Sequence, residues 1–262
     1  MKLKKSTLFF YSLAEMPINI ALFPILVFIP KFYTGEMGVP LALAANIILA
    51  VRIFDVFTDP VVGYINDRTN TKWGRRRPWI AIATPLLMVS IYMLFIPPEG
   101  AGALHLFLWM FLLSIGTTML IIPYYAWGAE LSPDYNERSR ITGWRSISGV
   151  VGSLSAQLIP TIALVFFGLG GSTNVLYIVG IASVIIMPIC VFLTLAKVPE
   201  SKDYVQSNIS PIKGFKIMLE NSPFKRLIMA FMFGGIAFSI TFPLYLFFIT
   251  YVLKAEEMAI FM

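Results

Sequence analysis

VPLALAANIILAVRIFDVFTDPVVGYI, residues 39–65, is an apolar run that carries three charges, Arg52, Asp55 and Asp59, in its second half. A bilayer core about 30 Å thick takes about 20 helical residues to cross, and this run is longer. Lipid offers the backbone no hydrogen bonds, so a run of this kind crosses as a helix. A charge at bilayer depth costs roughly 2.5–3.5 kcal/mol or more on insertion scales, so the three charges must face a cavity or a partner. Asp55 and Asp59 are four residues apart and Arg52 is three before Asp55, which places them along one helical face.

Comparable runs flank it at 7–33, 78–97, 103–127, 143–168, 174–196 and 226–253. The composition is 58% hydrophobic and 13% charged, and mean hydropathy is +0.79, well beyond a soluble domain. The fold class is all-α, a polytopic transmembrane helix bundle. The first run is too long for a cleaved signal segment and lacks a clear small-residue cleavage site. Cys190 is the single cysteine, which excludes an intramolecular disulfide or a cysteine-based metal cluster. His105, the single histidine, opens the fourth run and reads as an interfacial polar residue.

The net charge of +6 is distributed by side. Lys2, Lys4 and Lys5 precede the first run; Arg68, Lys72, Arg75, Arg76 and Arg77 follow the second; Arg138 and Arg140 follow the fourth. Lys197, Lys202, Lys213, Lys216, Lys225 and Arg226 follow the sixth, whereas the alternate loops hold Lys31 and Lys254. By the positive-inside rule the N-terminus is cytoplasmic and the protein sits in an inner or plasma membrane. Topology accounts for the basic surplus, and no recognition motif points to nucleic acid. Three segments follow: a six-helix bundle over 1–197, a cytoplasmic linker over 198–224 with Ser207, Ser210, Pro211 and Ser222, and over 225–262 the first helix of an incomplete second bundle. Transporters often pair two similar bundles around a midplane site. The expected partner is therefore a second half, continuing beyond Met262 or supplied by another subunit; a non-transporting half-carrier is the remaining option.

Two carboxylates with Thr58 beside them offer clustered oxygen donors, the ligand type a hard cation such as sodium requires. Two close carboxylates also repel, raising one pKa and permitting a proton carrier instead. The competing reading is an Arg52–Asp55 ion pair that only fixes packing. Glu15, inside the first run, joins the polar cavity or pairs with Arg52; Arg145, opening the fifth, reaches the cavity or snorkels to the interface. In the fifth run Ser148, Gly149, Gly152, Ser153 and Ser155 let a neighbouring helix approach closely. Gly63, Asp67, Arg68, Gly74, Arg75 and Arg76 suggest a loop latching two helices through charge and helix-end dipoles, or a purely topological basic run. No nucleophile–base pair, metal cluster or phosphate loop supports an enzyme.

Gly63-x-x-x-Asp67-Arg68 followed by Gly74-Arg75-Arg76 resembles the loop signature of the major facilitator superfamily. Arg52-Ile53-Phe54-Asp55, Thr58-Asp59-Pro60 and Trp73-Gly74-Arg75-Arg76-Arg77-Pro78-Trp79 resemble, more narrowly, its glycoside–pentoside–hexuronide:cation symporters, over residues 11 to about 199. The resemblance implies a twelve-helix fold whose coupling cation, Na⁺ or H⁺, binds Asp55 and Asp59, with Thr58 in place of the usual asparagine and Thr118 as a further hydroxyl. No other cofactor is implied. Glu15, Asn19, Arg52, Tyr125 and Arg145 are the substrate-cavity candidates, and Arg145 matches a binding arginine. Melibiose carriers place aspartates where this chain has Asn19 and Ile121, which argues against a galactoside. The implied substrate is a sugar or related small solute; lysolipid carriers are also relatives.

The topology has a direct check. With Cys190→Ser as background, Lys72→Cys should react with an impermeant maleimide only in inside-out vesicles, and Glu99→Cys only in right-side-out ones.

Overall fold

The computed structural model describes residues 2–168, 172–200, 211–247 and 252. Its described residues form helices α1 (Lys5–Ser12), α2 (Glu15–Gly35), α3 (Leu41–Arg68), α4 (Arg77–Phe95), α5 (Ala103–Glu130), α6 (Tyr135–Phe167), α7 (Ser172–Lys197), α8 (Pro211–Glu220) and α9 (Ser222–Phe247). Five of them, α3 to α7, are long and apolar enough to cross a membrane, and the chain is an integral membrane protein. It divides into two compact units, residues 1–204 and 205–262.

Local chemistry sets the helix ends. The first apolar run is interrupted between α1 and α2: Pro17 lies four residues after Leu13 and has no N–H for its carbonyl. The Met16 N–H bonds Leu13 O instead, at 3.3 Å. Pro78 lies in the first turn of α4, where its missing N–H is not needed. Asp134 caps α6 by accepting from the Glu137 N–H at 2.9 Å. Gly168 ends α6 with φ 66°, the left-handed conformation a glycine supplies most cheaply.

In the first unit α5 packs against α3 and α4, and α2 and α4 pack against α7. The α1–α5 contact is a reciprocal clasp: Tyr11 Oη donates to Tyr124 O at 2.9 Å, and Tyr124 Oη donates to Tyr11 O at 2.8 Å. Their rings stack with centroids 4.7 Å apart. Both hydroxyls are buried, and each satisfies a carbonyl in the process. The α2–α6 seam rests on the small residues of α6: a Cβ on Gly149 would stand 3.2 Å from Asn19 Nδ2, and one on Gly152 would run into the Met16 carbonyl. α3 is the loosest member, with 17% of its central window buried against 44% for α4 and α7.

In the second unit α8 occupies part of the 198–224 stretch read as linker, and α9 opens at Ser222. Residues 201–210 and the later part of the seventh run lie outside the described residues.

The seam predicts an asymmetry between two glycines of one helix. Gly152→Ala should lower the unfolding midpoint in detergent, by about 1–3 kcal/mol of overpacking. Gly143→Ala, whose Cβ meets nothing within 4 Å, should leave it unchanged or raised.

Candidate functional site

Asp55 and Asp59, one turn apart on α3, each take a hydroxyl from α5. Ser114 Oγ donates to Asp55 Oδ1, and Thr118 Oγ1 donates to Asp59 Oδ1 at 2.7 Å. Both pairs are 59 residues apart in sequence, so α3 and α5 run parallel and in register. Gly63, one turn further, meets Ile122 at the same spacing; a Cβ there would lie 3.8 Å from Ile122 Cγ2. Rows at i, i+4 on the two helices thus face each other.

Arg52 Nη1 lies 3.3 Å from Asp55 Oδ2. The two oxygens of Asp55 are thus divided, Oδ1 toward α5 and Oδ2 toward Arg52. Arg52 is itself 59% exposed, which at bilayer depth requires water or a polar partner around it. A cavity of about 300 Å³ opens between α2, α3 and α5, lined by Arg52, Asp55, Asp59, Ser114, Thr117 and Thr118 on its polar side and by Leu22, Ile25 and Val51 on its apolar side. Carboxylates and hydroxyls are hard oxygen donors, a set that fits a monovalent cation or a proton. Thr58 is outside this lining: its hydroxyl donates to Phe54 O at 3.2 Å, within its own helix.

A second polar cluster lies where α2 meets α5 and α6. Tyr125 Oη donates to Glu15 Oε1 at 3.0 Å, and the Arg145 guanidinium lies over the Tyr125 ring, 3.8 Å from its centroid. Glu15 Oε2 is 4.0 Å from Arg145 Nε and, though buried, accepts no hydrogen bond. Asn19 Nδ2 donates to Glu15 O at 2.9 Å. Glu15, Asn19, Tyr125 and Arg145 therefore come together, whereas Arg52 stands with the aspartates. Ile121 lines the first cavity.

The basic loop is folded around acids. Arg76, 3% exposed, bonds Asn66 Oδ1 and pairs with Asp67 Oδ1 at 2.8 Å and Glu130 Oε1 at 2.6 Å. Arg75 also pairs with Glu130. Glu200 Oε1 accepts the backbone N–H groups of Arg75 and Arg76 at 2.6 Å each, filling donors that the start of α4 leaves free. Gly74 has φ 118°, and a Cβ there would strike the Glu200 carboxylate; conformation and space both demand glycine. Arg68 lies apart, 3.7 Å over the Tyr64 ring.

Sequence reasoning missed Ser114, Asn66, Glu130 and Glu200. Ser114 could have been found as the partner of Thr118 at i, i+4, matching the spacing of the two aspartates. Glu130 and Glu200 are acids at the ends of the fourth and sixth runs, on the side that the alternation of spans assigns to the arginines.

The sequence model of the family described as MFS/sugar transport protein matches residues 10–262. An isoprimeverose transporter of Lactiplantibacillus pentosus is 30% identical over 228 residues, which is 82% of this chain and 46% of that protein. A putative glycoside/cation symporter of Escherichia coli (strain K12) is 26% identical, covering 87% of this chain and 50% of its own length. A sodium-dependent lysophosphatidylcholine symporter of Mus musculus is 27% identical, covering 86% and 49%. The chain spans about half the length of these curated relatives.

The arginine knot predicts strong coupling. Glu130→Gln should destabilise the protein by about 3 kcal/mol, because it leaves two guanidinium groups short of a partner. Adding Arg76→Gln should cost less than the sum of the single changes, measured as a double-mutant cycle on the unfolding midpoint.

Proposed function

The chain belongs to the MFS/sugar transport family, and from that premise we propose that it forms the cation-binding half of a symporter for a small polar, sugar-like solute. The observation that carries the reading is the pair of carboxylate–hydroxyl rungs, Asp55–Ser114 and Asp59–Thr118, opening on one cavity inside the apolar bundle. The coupling ion is a monovalent cation, Na⁺ or H⁺, held by Asp55 and Asp59 with Thr118. The solute site is the Glu15, Asn19, Tyr125 and Arg145 cluster, where the Glu15 carboxylate and the Arg145 guanidinium offer an acceptor beside donors. Hydroxyl groups of a solute match both.

Coupling between the two sites has a short route. Tyr125 lies seven residues beyond Thr118 on α5, about 10 Å along the helix. A cation bound between the aspartates competes with Arg52 for Asp55 and holds the α3–α5 pair in one arrangement, and the same helix presents Tyr125 to the solute. Each ligand then raises the affinity for the other by the same factor. A second bundle, in this chain's own continuation or in another subunit, completes the path, and the loaded carrier rocks between two faces. The arginine knot with Gly63, Asp67, Gly74, Arg75 and Arg76 ties the helix ends that this motion must rearrange.

A second reading is a lysolipid carrier of the same fold. The apolar wall of Leu22, Ile25 and Val51 beside the charged groups favours it, as does the mouse relative.

In the full-length protein, Asp59→Asn should abolish gradient-driven uptake while retaining solute exchange, and Asp55→Asn should abolish gradient-driven uptake. Reconstituted vesicles offered labelled pentosides, hexuronides and lysophosphatidylcholine in turn will identify the solute. Retention of uphill uptake by both variants would exclude the cation assignment.

A further inference from the structure

Several serine and threonine hydroxyls inside these helices turn back on their own backbone. Thr84 donates to Ile80 O at 2.7 Å, Ser90 to Leu86 O at 2.8 Å, Thr117 to Leu113 O at 2.8 Å and Ser155 to Val151 O at 2.7 Å. That is the ordinary fate of a serine or threonine in an apolar helix, where the carbonyl four residues back is the nearest acceptor. Ser114 and Thr118 depart from it. Both reach across to an aspartate of α3, in the same register, one turn apart.

We propose that Ser114 is a ligand of the coupling cation and the residue that positions Asp55 for it, so that the site is a two-rung ladder rather than a pair of aspartates with one threonine. This rests on the cation assignment above and adds a residue to it. A hydroxyl that donates its hydrogen to a carboxylate keeps its oxygen lone pairs free for a metal ion. Two rungs therefore present two hydroxyl oxygens and two carboxylates on one wall of the cavity, a donor set suited to a hard cation. Ser114 also opposes Arg52. The guanidinium lies 3.3 Å from Asp55 Oδ2, and without a partner on Oδ1 the carboxylate is free to turn wholly toward it, away from Asp59 and the cavity.

The test measures cation binding in the purified full-length protein without solute, by titration calorimetry with NaCl and LiCl, against the unfolding midpoint of each variant. Ser114→Ala should weaken Na⁺ about tenfold, which is about 1.4 kcal/mol, and change the ratio of Na⁺ to Li⁺ affinity. Ser114→Thr, which keeps the oxygen, should stay within about threefold of the wild type. Should Ser114→Ala fail to fold, Ser114→Cys keeps the volume, lacks the hard oxygen and should show the same loss. Unchanged affinities in Ser114→Ala and Ser114→Cys, with Asp59→Asn abolishing binding, would overturn the role of Ser114 alone. Equal losses for Na⁺ and Li⁺ that track a fall in the unfolding midpoint would reduce Ser114 to packing and overturn it as well. A wild type that binds neither ion would overturn Ser114 as a metal-ion ligand, and an Asp59→Asn variant that binds as well as the wild type would overturn the cation site and the ladder together.

Discussion

The constant offset between α3 and α5 is the constraint on which the polar interior hangs. Asp55 meets Ser114, Asp59 meets Thr118 and Gly63 meets Ile122, each step one turn further along two parallel helices. A carboxylate in an apolar bundle meets little water, and here a neighbouring helix supplies each with a hydrogen bond. A shift of one residue in that packing would carry both hydroxyls off the carboxylates at once. The aromatic pair Phe54–Phe111, 5.3 Å between centroids, borders the seam.

The same two helices end in the arginine knot. Asn66 and Asp67 close α3 and Glu130 closes α5, and all three reach Arg76 at the start of α4. Glu200, just past α7, accepts two backbone N–H groups at that same helix start, where the dipole favours negative charge. Trp127 Nε1 donates to Pro199 O at 3.1 Å and so fixes the stretch that carries Glu200. Burial of a guanidinium is tolerable only while its partners stay in place. The ends of four helices are thereby tied into one unit that yields together or not at all.

Between the ladder and the knot lies the α2–α6 seam, where Gly149 and Gly152 allow α2 to come close enough for Glu15 to share Tyr125 with Arg145. α5 contributes to every one of these features: Ser114 and Thr118, then Tyr125, then Glu130. A helix with that many polar duties in an otherwise apolar run is the element through which ion, solute and helix ends communicate in the proposed symporter.

By itself the sequence determined the all-α class, the apolar spans, the shared face of Arg52, Asp55 and Asp59, the need for small residues in the fifth run and the resemblance that places the chain in its family. These are local properties, written in spacings of three and four residues and in apolar runs of about 20. It did not determine that Pro17 would end α1. Only the tertiary structure decided that Ser114 joins Asp55, that Thr58 turns back to Phe54, that Glu15 sits with Arg145 rather than Arg52, and that Glu130 and Glu200 receive the arginines. Those pairings depend on the register and tilt of helices far apart in the chain. That register is settled by the packing of whole faces in a medium that makes an unpaired polar group costly, not by any short stretch of sequence.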